Sequence, residues 1–344
     1  MSNPFFLNKC LLPRAKHWFI TLLTLALVSQ ACSARGPLGV DFNPPPIATP
    51  PPAVATGTPM LLQPTVTPVI PVLTVAQLRN ATLTISGADQ QKRTVVLKDG
   101  KYEKGTDPAQ PGYDSITVGE NIAFGDLNGD GAPDAAIILA ENYGGSGVFI
   151  SVVAIINQGG QPVAVASAII DDRAIVNIIS IQDGEIFVDA TIHSINDPSC
   201  CPSLASTHNY RLVNGTLALS RITTTIPGNA ERVIKIESPT NDTQINGVFI
   251  IKGSVTVAPF ENNLSYSIFQ PGSSEPVEQA GFIIKADTMG GPGTFELSLD
   301  LNKNITSQGA FSDGPIRIQI SDMSPADGSY LAVNTVYLVL KRNP

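Results

Sequence analysis

From Thr74 onward the chain consists of short runs of β-branched and aliphatic residues, each broken off by glycine, asparagine or aspartate. Three of the breaks are two-residue pairs: Asp99-Gly100, Asp183-Gly184 and Asn214-Gly215. The favoured two-residue hairpin turn needs φ > 0 at both central positions, and Asp-Gly and Asn-Gly adopt that conformation readily. Helical periodicity is scarce; Val75 to Leu83 is the one stretch that reads as a short helix. Ala135 to Ala140 and Val148 to Ile156 are nearly continuous apolar runs, the pattern of strands buried on both faces. The expected fold is mainly β. Residues 74–226 should form an antiparallel β-rich (α+β) domain, a meandering sheet with room for one helix across it.

The last region, 232–344, carries seven strand candidates: Val233-Glu237, Val248-Val255, Leu264-Phe269, Phe282-Ala286, Phe295-Leu301, Ile316-Ser321 and Thr335-Leu340. In Ile316-Arg317-Ile318-Gln319-Ile320 the isoleucines should face inward and the polar residues outward. Seven short strands at this spacing fit a C-terminal immunoglobulin-like β-sandwich. It contains no cysteine, so its two sheets must be held by packing alone.

The N-terminal end obeys different rules. Trp18 to Val28 is an unbroken apolar run preceded by Lys9, Arg14 and Lys16 and followed by Ser29-Gln30-Ala31, which reads as an export signal peptide over 1–31. It is too short to span a bilayer, which takes roughly 20 apolar residues. Leu27-Val28-Ser29-Gln30-Ala31-Cys32 resembles a bacterial lipoprotein signal, with Ser29 where that family prefers Leu. The resemblance implies lipidation of Cys32 and a membrane anchor; Ser29-Gln30-Ala31 equally suits ordinary signal peptidase. Eleven prolines lie between Ser33 and Leu73. Proline fixes φ and removes a donor, so residues 32–73 should form an extended linker, reaching on the order of 120 Å at about 3.1 Å per residue. Together these features place the folded part outside the cytoplasm, anchored to the bacterial membrane and facing the periplasm or cell exterior.

Charge narrows the partners. Loss of residues 1–31 removes three bases and no acid, so the formal charge moves from −8 to −11. An acidic surface argues against nucleic acid, whose affinity comes largely from basic side chains on phosphates. The expected partners are the membrane, through the lipid, and an envelope protein or polysaccharide.

The sharpest chemical motif is Phe124-Gly-Asp-Leu-Asn-Gly-Asp-Gly-Ala-Pro-Asp134. Asp126, Asn128, Asp130 and Asp134 supply hard oxygens at positions 1, 3, 5 and 9, and the Ala132 carbonyl stands at position 7. Gly131 at position 6 permits the sharp turn, the ligand layout of a calcium loop. Position 12 is Ile137 where an EF-hand has glutamate. The pattern resembles instead the DxNxDGxxD loops of FG-GAP and related extracellular repeats, although it occurs once here. A weak structural Ca²⁺ site is expected, with affinity on the order of 10⁻⁴ to 10⁻³ M; the alternative is a hairpin turn without an ion.

Cys200 and Cys201 are adjacent in a Pro-flanked turn, and in an exported protein free thiols tend to oxidise. They can form a vicinal disulfide, pair with other chains, or remain thiols. His193 and His208 flank them at seven residues on either side, so a Cys/His zinc site is geometrically conceivable. Asn142 to Gly147 is Gly-rich but precedes a strand-like run, so it reads as a hairpin loop and not as a phosphate cradle. Asp171-Asp172 reads as a turn, because neighbouring strand residues point to opposite faces. Catalysis is not expected. A hydrolase would have to use His193 or His208, and no Gly-x-Ser-x-Gly elbow accompanies them.

Two further resemblances follow from quoted motifs. Gly125-Asp134, Asn142-Gly147 and Asp197-Pro202 resemble a domain of uncharacterised bacterial exported proteins, which implies a shared fold and no activity. Ile236-Glu-Ser-Pro239, Ile251 to Glu261, Gly290 to Phe295 and Ser324 to Ser329 resemble the immunoglobulin-like domain of bacterial spore germination proteins. That resemblance implies an extracytoplasmic module for binding or spacing. The functional expectation is a membrane-tethered, non-catalytic envelope lipoprotein, with an extracytoplasmic hydrolase or an accessory subunit of an envelope complex as alternatives.

Overall fold

The computed structural model describes residues 71–302, 311 and 313–341. The expected export leader, Cys32 and the expected linker before residue 71 lie outside the described residues. Among the described residues no helix is long and apolar enough to cross a membrane.

Helix α1 (Val75–Arg79) opens the fold. Thr74 caps it: its hydroxyl accepts from the Gln77 N–H at 3.2 Å, and the Gln77 side chain accepts from the Thr74 N–H at 2.9 Å. The helix is shorter than its sequence pattern predicts, since Thr82 and Leu83 already belong to strand β1 (Thr82–Ser86), paired with β2 (Lys92–Val96). A five-strand antiparallel meander follows in spatial and sequence order: β3 (Lys101–Lys104), β4 (Asp114–Gly125), β5 (Asp134–Asn142), β6 (Phe149–Gln158) and β7 (Gln161–Asp172). A second meander contains β8 (Ile175–Gln182), β9 (Glu185–Ile192), β10 (Leu204–Val213) and β11 (Thr216–Ile226).

The two apolar runs are the middle of a three-layer stack. Ile137 and Leu139 of β5 and Val153 and Ile155 of β6 face α1, β1 and β2, where they meet Leu78, Leu83, Ile85 and Val95. Their sequence neighbours Ala136, Ile138, Val152 and Ala154 face the other way, onto Ile186, Val188 and Ala190 of β9 and Tyr210 of β10. Period-2 alternation with both faces covered explains why these runs are almost wholly apolar, the buried Ser151 of β6 being the one polar residue within them.

All three turn pairs have positive φ at both residues: Asp99 52° and Gly100 82°, Asp183 51° and Gly184 75°, Asn214 49° and Gly215 77°. The last two join paired strands. Asp99-Gly100 does not: only Lys98 and Lys101 bridge across it, and then the strands part, β2 to β1 and β3 to β4.

The C-terminal region is an immunoglobulin-like sandwich. After β12 (Ala230–Arg232) come β13 (Ile234–Ser238), β14 (Thr243–Ile245), β15 (Val248–Val255), β16 (Asn263–Phe269), β17 (Glu278–Ile283), β18 (Lys285–Ala286), β19 (Gly293–Asp300), β20 (Gly314–Met323) and β21 (Tyr330–Leu340). One sheet runs β13-β15-β19-β18, and the facing one includes β17-β16-β20-β21, with β14 parallel to β21. Ile251, Leu264, Ile268, Phe295, Ile318 and Ile320 fill the space between them. The isoleucines of β20 do face this core. Arg317 and Gln319, expected in solvent, are buried on the opposite face. Arg317 lies over the Phe269 ring at 3.7 Å and donates to the Ser273 carbonyl at 2.7 Å, so the loop after β16 covers that face.

The sheet does not stop at the sandwich. β11 pairs with β21 through Arg221↔Asn334 and Ile222↔Val333, giving a ten-stranded sheet that runs from β17 through β21 and β11 to β8. The Thr224 and Thr335 hydroxyls donate across this seam to the carbonyls of Leu331 and Leu219, at 2.7 and 2.8 Å. Arg232 forms a short ion pair with Asp322, whose side chain is 3% exposed.

Candidate functional site

The calcium-like loop is the β4–β5 connection, closed at its base by the rung Gly125↔Asp134. Inside it the acidic side chains fold onto the loop's own amides. Asp126 accepts from the N–H groups of Asn128, Gly129 and Gly131 at 3.2, 2.7 and 2.9 Å. The Asn128 side-chain oxygen accepts from the Asp130 N–H, and Asp130 accepts from the Ala132 N–H and the Asn128 side-chain amide. Gly129 and Gly131 have φ of 80° and 83°, which lets successive amides point inward. Hydrogen bonds from these amides, that of Gly131 foremost, hold the Asp126 carboxyl below the usual carboxylate range.

Asp134 differs. It is wholly buried, and its two oxygens accept from the N–H groups of Leu127 at 2.9 Å and Asn157 at 2.8 Å. Burial pushes its carboxyl up, and the negative charges of Asp130 and Asp126 add to the rise. Asn157, which the sequence reading missed, organises the base: its amide donates to the carbonyls of Pro71 and Pro133, and its oxygen accepts from the Gly160 N–H.

The donor set fits a hard cation in chemistry. Three carboxylates and an amide oxygen gather in one loop, and each carboxylate retains at least one oxygen with acceptor capacity beyond the bonds above. Among the described residues none of these carboxylates has a Lys or Arg ion-pair partner, and no three His, Cys, Asp or Glu side chains converge as a metal cluster. All three carboxylates are engaged by backbone amides, so coordination by all of them would require their side chains to reorient.

Beside this loop lies a cleft of about 680 Å³. Topology brings three turns to it: Asp126, Asn128 and Gly129, then Asp183-Gly184, then Asn214-Gly215, with Arg211 on the wall and Ile181 and Leu212 among the apolar lining. Gly125 anchors the arrangement, because a Cβ there would lie 2.6 Å from the Ile181 side chain.

A second constellation gathers at the end of β7. Asp171 and Asp172 are still in the strand and serve different partners. One Asp171 oxygen accepts from both the backbone N–H of His193, at 2.6 Å, and its Nδ1, at 2.9 Å. Asp172 accepts from the Val148 N–H at 2.8 Å and pairs with Arg173. Cys200 and Cys201 are joined by a disulfide in the neighbouring loop. His208 is elsewhere, 3% exposed in the core between Ser206 and Tyr210, at 3.1 and 3.2 Å. Burial lowers its pKa to about 4, so it is a neutral, hydrogen-bonded core histidine. It does not line the cleft beside the 126–134 loop. No protein-family model matches this chain and no curated protein is similar to it, so its function rests on its own residues.

Proposed function

We propose that this is a membrane-tethered extracytoplasmic lipoprotein with a non-catalytic binding or spacing role in the cell envelope, one loop of which holds calcium. The leader, Cys32 and the proline-rich linker support the location and the tether. The sandwich, similar in its motifs to the module of spore germination proteins, supports a role in contact and not in chemistry. The cleft beside the 126–134 loop is bordered by turns and presents Asp, Asn, Gln and Arg side chains beside a few aliphatic ones, as suits an extended partner such as an envelope protein or polysaccharide.

The observation that carries the ion site is Asp134: a buried carboxylate beside two others, without a protein cation. Asp126, Asn128, Asp130, Asp134 and the Ala132 carbonyl would hold Ca²⁺, which supplies positive charge and draws the loop together. The ion is a staple for the β4–β5 connection and takes no part in a reaction. Saturating Ca²⁺ should raise Tm over that in EDTA, with half-effect on the order of 10⁻⁴ to 10⁻³ M. Stabilisation at a hundred times Kd is about 2.7 kcal/mol. Asp130→Ala should remove the difference. Identical melting in Ca²⁺ and in EDTA would refute the site.

A further inference from the structure

Four sequence features that look unrelated meet at one corner of the fold: the Gly-rich 142–147 loop, Asp171-Asp172, His193 and the adjacent cysteines. Arg173 is the hub. It has φ of 53°, and its guanidinium donates to the Ser199 carbonyl at 2.7 Å, to the Ser146 carbonyl and to Asp172. It therefore ties the loop carrying Cys200 to the Gly-rich loop.

The disulfide itself lies at the exposed tip. The neck of its loop is closed by other means. Asp197 accepts from the N–H groups of Ser194 and Ser203 at 2.8 and 2.7 Å and from the Ser203 hydroxyl at 2.8 Å. The Cys201 N–H donates to the Pro198 carbonyl at 2.9 Å, closing the turn at the tip. A bond between neighbouring residues encloses no intervening chain, so it restricts the unfolded state very little and contributes almost nothing through loop-closure entropy. A buried structural disulfide resists reduction, whereas an exposed one is open to attack by an external thiolate.

We propose that Cys200–Cys201 is a thiol–disulfide exchange site for an external dithiol, and that its redox state sets the conformation of the rim formed by loops 143–148 and 194–203. A thiolate of the dithiol attacks one of the two sulfurs, the Cys–Cys bond breaks, and the other sulfur leaves as a thiolate. The second thiol of the reagent then attacks the reagent's own sulfur in the mixed disulfide, closing the reagent disulfide and expelling the protein cysteine as a thiolate. The dithiol is oxidised to a disulfide, and Cys200 and Cys201 are each reduced to a thiol, carrying the two protons it gave up. The freed cysteines relax the tip, the Ser199 carbonyl moves off Arg173, and the Gly-rich loop loses its bridge. Asp197 keeps the neck closed, so the change stays local.

The test uses the full-length chain, prepared in air, with dithiothreitol as the dithiol. Iodoacetamide trapping and peptide mass mapping should show no adduct on the Cys200-Cys201 peptide before reduction. Two should appear after reduction under native conditions. Amide NMR shifts should change in 143–148 and 194–203 and leave the sandwich unmoved. The double variant Cys200→Ser with Cys201→Ser should show the reduced spectrum whether or not dithiol is present. The proposal fails if adducts appear only after denaturation or already before reduction. It also fails if non-reducing electrophoresis shows covalent dimers through this peptide, or if the rim amides ignore reduction.

Discussion

At His193 one carboxylate oxygen serves two donors, the backbone N–H and the ring. Burial pulls this imidazole's pKa down, and the hydrogen bond and charge of Asp171 more than reverse it, leaving the value raised. A raised folded pKa means stabilisation that is complete below the unfolded value of about 6.5 and lost as pH rises through the folded one. His208 has the opposite sign. Its folded pKa is about 4, so its contribution is present above about 6.5 and lost as pH falls from there, on the order of 3 kcal/mol in total. Imidazole titration by NMR should give a midpoint for His193 above 6.5, and Asp171→Asn should lower it. A midpoint unchanged in that variant would show that the ion pair does not form. Both histidines stood out in the sequence, but their difference did not, because it depends on which strand end lies opposite each ring.

Strands and turns were the most legible features. Turn pairs act through local φ, and alternation acts through a two-residue period, so both are written in neighbouring residues. The calcium-like spacing is local in the same sense. Asn157 was not legible: it reaches the 126–134 loop only because β6 pairs with β5 in one register. The outward placement of Arg317 and Gln319 failed for a related reason, since alternation shows that two faces differ and not what covers the second. Gly125 illustrates the packing side. A Cβ at Gly125 would stand 2.6 Å from the Ile181 side chain of β8, so Gly125→Ala must push β4 and β8 apart. Overpacking of this kind costs about 1–3 kcal/mol. Chemical denaturation should show that loss, together with weakened calcium-dependent stabilisation. Recovery in the pair Gly125→Ala with Ile181→Ala would identify the clash as the cause.

For the molecule as a whole, the sequence reads as a β-rich region and a sandwich joined near residue 230, and the β11–β21 pairing that joins their sheets leaves no local trace. The seam has few rungs, so its polar groups matter. Burial raises the Asp322 carboxyl against the pull of Arg232, and Arg232→Met would strand a buried charge, at a cost of about 3–5 kcal/mol. Calorimetry of the parent chain should show one unfolding transition, and the Arg232→Met chain two. Two transitions in the parent would mean that the halves melt independently.

That seam also bears on how the sandwich can be reused. Excising residues 232–341 as a cassette would bare the amides and carbonyls along Val333 and Asn334, and Ile222 would lose its neighbour on the piece left behind. Each half would then offer an unsatisfied strand border to any passing chain. Grafting this sandwich onto another protein would therefore require a surrogate for β11, or charged side chains to blunt the exposed border.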